Sequence, residues 1–270
     1  MATARLPISA STDCLLLSAK GSPCFLYPAP CTLYWMDPRL IVALDVPGAT
    51  PALALADRLQ GLCRWFKVGL ELYLAEGNSI VHELRSRGFS VFLDLKFHDI
   101  PNTVAGAVRS AAAAGAQLLT VHAAGGPAML EAAAEAADCL PDPPQLLAVT
   151  VLTSMDQLQL SAIGIDRSPE TQVLRLADTA AEAGITGFVA SPEEVSALRQ
   201  RFPAATLVIP GIRPAGAATG DQKRIATPAT ALAAGASYLV IGRPITQAPD
   251  PAAAAQSILD EMAQVPALSA

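Results

Sequence analysis

From Leu40 onward the chain alternates short apolar runs with longer segments in which apolar residues recur every three or four positions. The runs "LIVALDV" (40–46), "WFKVGL" (65–70), "SVFLDLKF" (90–97), "QLLTVHA" (117–123), "QLLAVTVL" (145–152), "GFVAS" (187–191), "TLVIPGI" (206–212) and "YLVIGRPI" (238–245) predict eight strands. Between them lie Ala-, Leu- and Glu-rich segments such as "TPALALADRLQG", "NSIVHELRSRG", "IPNTVAGAVRSAAAAG", "GPAMLEAAAEAADCL", "SPETQVLRLADTAAEAG" and "SPEEVSALRQRF". Several open on Thr, Asn or Ser and close on Gly, as helix caps do. Nearly continuous apolar strands joined by amphipathic helices imply an α/β fold with a parallel sheet covered on its faces. Eight such units over about 230 residues suit a single closed (β/α)8 TIM barrel. A doubly wound open sheet is the alternative, but the first turn, "LDVPGATPA", lacks the GxGxxG of a dinucleotide site.

Composition narrows the class without changing the fold. With 52% hydrophobic and 16% charged residues in 270, the chain can bury one large core. Its formal charge of −6 and the absence of any Lys/Arg run argue against nucleic acid as a partner. Pro, Gly or a charge interrupts every apolar stretch before the roughly 18 to 20 residues that span a bilayer, so no membrane partner is expected. Five cysteines, Cys14, Cys24, Cys31, Cys63 and Cys139, show no metal-ligand spacing, which fits a reducing cytoplasm. Residues 1–35 follow neither a helical nor a strand period and hold three of those cysteines. They read as an extension outside the domain, disordered or a mis-assigned start, with Met36 as the natural start and 36–270 as the barrel domain.

Charges stand where a strand should have continued with aliphatic residues. Asp45 ends the first run, Lys67 lies in the second, Asp94 and Lys96 in the third; a strand period of two turns Asp94 and Lys96 to one face and makes them neighbours. A structural ion pair closing the barrel would explain one Asp/Lys couple. It does not explain Asp45, Lys67, Asp94, Lys96 and Asp99 together, because desolvating such a set costs several kcal/mol per ion unless a ligand or mutual pairing offsets it. In a barrel, chemistry sits at the C-terminal ends of the strands, where these residues fall. His98 beside Asp94 and Asp99 raises a metal site, but adjacent ammonium groups make a poor one for a divalent ion. His82, in a helix, and His122, at a strand end, read as hydrogen-bonded structural residues.

The last two strands supply an anion site. "GIR" and "IGRP" put Gly211, Arg213, Gly242 and Arg243 where barrels often hold a phosphate. The loop "RPAGAATGDQKR" (213–224), which carries Gln222, is long enough to fold over a ligand.

Together these residues carry a resemblance. "FLDLKFHDIPNTV" resembles the DxKxxDI signature of the orotidine 5′-phosphate decarboxylase family, bacterial type. "VALDVP", "FKVGLELYLAEG", "TVLTSM", "PGIRPAG…GDQKRIATPATAL" and "YLVIGRPIT" are similar to its other landmarks, in order. The resemblance implies conversion of orotidine 5′-monophosphate to uridine 5′-monophosphate without cofactor or metal, in a cytoplasmic homodimer with shared sites. It implies that Lys96 protonates C6 of the pyrimidine, that Asp94 lies near the departing carboxylate, and that Lys67 and Asp99 complete a charged array. Asp45 and Lys67 would bind the ribose, Ile100 and Thr103 would line it, and Thr153 or Ser154 would meet the base. Arg213, Gln222, Gly242 and Arg243 would hold the phosphate, while Asp99 and Thr103 would reach the partner's site. Magnesium-dependent sugar-phosphate decarboxylases and hexulose-phosphate synthases share the DxKxxD pattern but place a metal-binding Glu where this chain has Lys67. A catalytically silent nucleotide-phosphate binding protein would be expected to lack Lys96 or an aspartate of the array.

Overall fold

A computed structural model describes residues 37–214 and 224–265. The expectations for residues 1–35 and for Gln222 lie outside the described residues. Eight parallel strands close into a barrel in sequence order: β1 (Leu40–Ala43), β2 (Trp65–Val68), β3 (Ser90–Phe97), β4 (Leu118–His122), β5 (Gln145–Val149), β6 (Gly187–Val189), β7 (Thr206–Ile209) and β8 (Tyr238–Ile241). Leu40 pairs with Leu239 and Ile41 with Trp65, so β8 closes the ring on β1.

Both faces of the strands are buried, which is why their sequences run apolar without a polar alternate. Leu40 and Val42 of β1 belong to the layer between strands and helices; Ile41 and Ala43 point into the barrel with Trp65, Phe92, Leu118, Leu147, Val208 and Val240. Among the described residues, no helix is long and apolar enough to cross a membrane. Cys63 is buried, and burial pushes its thiol up to about 12, while Cys139 is exposed.

Seven of the eight strands end earlier than the apolar runs predict, and only β3 has the expected bounds. The correction falls at the C-terminal ends. Leu70, expected in the second strand, instead opens a helix, Leu70–Glu76, and Arg243 opens a short helix, Arg243–Thr246. Thr150 to Leu152 and Pro210 to Ile212 leave the sheet as well. The strand ends splay around a mouth, and residues that are apolar in sequence become its rim rather than its ladder.

Candidate active site

The barrel interior is apolar in its lower layers and charged at its top. The parity that turns Ala43, Trp65 and Phe92 inward carries two residues further to Asp45, Lys67 and Asp94. These side chains, with Lys96, form a line of alternating charge. Lys67 Nζ lies 3.0 Å from Asp45 Oδ1 and 3.6 Å from Asp94 Oδ2, and Lys96 Nζ donates to Asp94 Oδ1 at 2.9 Å. Asp94 is buried and Lys67 nearly so, whereas Asp45 is exposed at the rim. Burial alone would raise the Asp94 carboxyl. The ammonium groups of Lys67 and Lys96, with hydrogen bonds from Lys96 and Thr120, more than reverse this and hold it below the usual carboxylate range.

The neighbourhood of Asp94 and Lys96 was expected from a strand period of two. They are neighbours, but not by that route. Leu93 pairs with Leu119 and Phe97 with Val121, so β3 spends two more residues than β4 over the same stretch. This bulge puts Lys96 at φ 52°, the left-handed region, where a side chain other than glycine is strained. Thr120 of β4 holds the bulge from across the ladder. Its Oγ1 accepts from the Lys96 backbone nitrogen at 2.8 Å and donates to Asp94 Oδ1 at 3.1 Å. Strain at a residue whose side chain points into a mouth is a mark of function.

Gly69 leaves room for the line. A Cβ there would stand 2.9 Å from Lys67 Nζ and 3.1 Å from Asp45 Oδ1. Neither Gly69 nor Thr120 stood out in the sequence. Thr120 was in principle detectable, since it shares its parity with the interior residue Leu118 and so is a polar side chain turned into the barrel.

The array forms one wall of a cleft of about 420 Å³. Other walls bring Val149 of β5 with Val151, Leu152 and Thr153 after it, Val189 of β6 with Ala190 after it, and Pro210, Gly211 and Arg213 after β7. Gly242, Arg243 and Gln247 follow β8. Of the expected substrate residues, Asp45, Lys67, Asp94, Lys96, Thr153, Arg213, Gly242 and Arg243 line this one cleft. Arg213 is buried, with its backbone nitrogen donating to Ala226 O at 2.9 Å and its Nη1 to Ile212 O at 2.8 Å. Arg243 is exposed at the mouth. Apolar walls with cations at one side and alternating charges at another suit a ligand with a flat apolar portion and an anionic tail.

Ser154, Asp99, Ile100 and Thr103 are exposed and do not line the cleft. Asp99 Oδ1 accepts from the Ile100 nitrogen at 2.7 Å, just ahead of the helix Pro101–Ala113 that carries Thr103. The histidine expectations need correction. His82 is exposed on the helix Asn78–Ser86, and its imidazole makes no hydrogen bond among the described residues. His122 Nδ1 is buried without a hydrogen-bond partner, and its ring stacks on His98 at 5.3 Å, a contact that forms only because the bulge brings residue 98 beside residue 122. No three His, Cys, Asp or Glu side chains among the described residues are placed to hold a metal ion.

Residues 38–258 match the family model described as Orotidine 5′-phosphate decarboxylase / HUMPS family. The orotidine 5′-phosphate decarboxylase of Halorhodospira halophila is 58% identical over 228 residues, covering 84% of this chain and 96% of that protein. The enzyme of the same name from Moorella thermoacetica is 53% identical over 234 residues, 84% of this chain and 93% of that one. The crystal structure of orotidine 5′-phosphate decarboxylase from Lactobacillus acidophilus superposes with a TM-score of 0.73 at 36% identity, over 84% of this chain and 99% of that one.

Proposed function

We propose that this chain, which belongs to the orotidine 5′-phosphate decarboxylase / HUMPS family, converts orotidine 5′-monophosphate to uridine 5′-monophosphate and carbon dioxide. The reaction is the closing step of de novo pyrimidine synthesis, and a cytoplasmic location is in keeping with it. The observation that carries the reading is the line Asp45, Lys67, Asp94, Lys96 at the top of the barrel, with the Lys96 ammonium fixed 2.9 Å from Asp94.

The chemistry follows from charge. When the bond from C6 to the carboxylate breaks, its electron pair stays on C6 in an orbital that the ring does not delocalise well. An ammonium already fixed in place stabilises that charge without reorganising. Lys96 then gives its proton to C6, carbon dioxide leaves, and the neutral amine regains a proton from solvent. Asp94, kept ionised by its two lysines, holds Lys96 in position and meets the substrate carboxylate at the reacting end. Asp45 and Lys67 hold the ribose, Thr153 faces the base, and Arg213, Arg243 and Gly242 hold the phosphate with Gln222. Those remote contacts supply binding energy that organises the reacting end.

Asp99, Ile100 and Thr103 complete the site of a second copy in a two-fold homodimer. Support comes from their exposure outside their own cleft, and from the exposure of the apolar side chains Ile100, Leu70 and Leu74, at 67%, 53% and 81%, which a second copy would cover. A magnesium-dependent sugar-phosphate chemistry fits poorly, because both oxygens of Asp94 are engaged by ammonium groups, which repel a dication.

The test is the loss of orotate absorbance when the purified chain meets orotidine 5′-monophosphate, run with and without EDTA. Turnover unaffected by chelation is expected. No turnover would overturn the reading, and turnover lost to EDTA and restored by Mg²⁺ would favour the sugar-phosphate chemistry.

A further inference from the structure

Next to the residues that line the cleft is a buried ion pair that the proposed chemistry does not use. Arg224 and Glu194 are 6% and 2% exposed and joined through Arg224 Nη1 and Glu194 Oε1. Glu194 is itself fixed: its Oε2 accepts from the Ser191 nitrogen at 3.1 Å and from the Ser191 hydroxyl at 2.5 Å, in a capping box just past β6. The other arm of the guanidinium, Nη2, donates to the carbonyl oxygen of Leu152 at 3.0 Å.

Each of these partners adjoins a different wall of the cleft. Leu152 and Thr153 line it after β5, and Ala190, the neighbour of Ser191, lines it after β6. Two residues beyond Arg224, Ala226 O accepts from the backbone nitrogen of Arg213, and Ile212 bridges Ala226, which ties the Arg224 segment to the wall that carries Arg213. One side chain therefore joins walls that are far apart in sequence. Burying two ions costs several kcal/mol each before pairing, and a well-packed aliphatic pair of similar volume is often as stable or more so. What an aliphatic pair could not do is hold a backbone carbonyl at a set distance from a carboxylate. Without Arg224 the Leu152 carbonyl keeps only the turn hydrogen bond from the Met155 nitrogen at 2.9 Å, and the peptide leading into Thr153 loses the tie that fixes it against Glu194.

We propose that Arg224 is a positioning residue that fixes the Leu152–Thr153 wall, and so sets how tightly the cleft grips the pyrimidine end of its nucleotide. The proposal rests on the nucleotide reading of the cleft given above. It assigns Arg224 no contact with substrate. Its effect is confined to ligands that carry a base.

Two probes separate the ends of the cleft: uridine 5′-monophosphate, which fills both, and ribose 5-phosphate, which fills only the sugar-phosphate end. Binding of each is measured by calorimetry on the full chain, alongside kcat and KM for orotidine 5′-monophosphate. For Arg224→Met, affinity for uridine 5′-monophosphate is expected to fall about tenfold, the scale of one hydrogen bond from a charged group, while affinity for ribose 5-phosphate changes less than about twofold. Arg224→Lys, which keeps a cation beside Glu194, should recover part of the loss. Where Arg224→Met unfolds because Glu194 is left unpaired, the double variant Glu194→Gln/Arg224→Met removes that charge and retains the cap to Ser191, and the same pattern is expected of it. Equal losses for both ligands, or wild-type affinity for uridine 5′-monophosphate in a folded variant, would overturn the inference. A wild-type chain that bound neither probe would overturn both the inference and the functional reading. Wild-type turnover combined with equal losses in the variants would overturn the inference alone.

Discussion

Thr120 Oγ1 accepts a 2.8 Å hydrogen bond from the backbone nitrogen of Lys96, the one non-glycine position with a positive φ among the described residues. The same hydroxyl donates to Asp94, so a single buried threonine holds both the strained backbone of Lys96 and the carboxylate that Lys96 pairs with. Thr120→Val preserves shape and removes both bonds. Leaving a buried N–H unpaired costs about 1–3 kcal/mol. Denaturant unfolding should show that loss, and kcat should fall more than KM rises, because the reacting end is disturbed and the phosphate end is not. Wild-type stability and kcat would show that the bulge does not depend on Thr120.

Arg243 lines the cleft far in sequence from the charged array, yet its loss should reach the chemistry. Removing a charge-assisted contact to phosphate costs about 1.5–3 kcal/mol, so kcat/KM of Arg243→Ala should drop by roughly 10- to 100-fold. Unchanged efficiency in steady-state assays would move the phosphate elsewhere.

His122 gives the fold a pH dependence of predictable sign. Burial first, then the neighbouring His98 and Lys96, hold its pKa below the ordinary value of 6.5. A base with a depressed folded pKa takes up its proton more readily when unfolded. Its contribution to stability is therefore present above 6.5 and lost as pH falls through the lower folded value. Glu194, whose carboxyl burial raises, works in the opposite sense, so the informative quantity is a difference between variants. His122→Phe keeps a ring against His98 and cannot titrate. Melting temperatures followed from about pH 7.5 to 5 should decline less steeply in His122→Phe than in the wild type; parallel declines would assign the pH dependence to other groups.

The shared-site proposal predicts recovery of activity from two inactive chains. Lys96→Ala lacks the proton donor and Asp99→Ala lacks the residue offered to the partner, so each homodimer should be inactive. Mixed under conditions of subunit exchange, a hybrid dimer has one site missing both residues and one site intact. Random pairing makes about half the dimers hybrids, and roughly a quarter of wild-type activity should return. A mixture that stays inactive while exchange is confirmed by mass would place Asp99 in its own chain's site.

What the sequence by itself determined is the barrel and the charged top layer of its interior. Eight apolar runs with helical segments between them leave few other ways to cover both faces of a parallel sheet. The step from Ala43 to Asp45, from Trp65 to Lys67 and from Phe92 to Asp94 is readable because strand parity is a property of the backbone, the same wherever the strand lies. Tertiary structure decided what parity cannot reach. Where each strand stops depends on where its neighbours stop, so Leu70, apolar and in line with a strand, became the first residue of a helix. Lys96 reached Asp94 through a bulge measured against β4, and Thr153 rather than Ser154 turned to the cleft because of how its loop leaves β5. Arg224 met Glu194 and Leu152 across 30 and 72 positions of chain, which no local pattern records. Periodicity is set by covalent geometry acting over a few residues, whereas strand ends, bulges and buried ion pairs are set by which distant segments the closing of the barrel brings together.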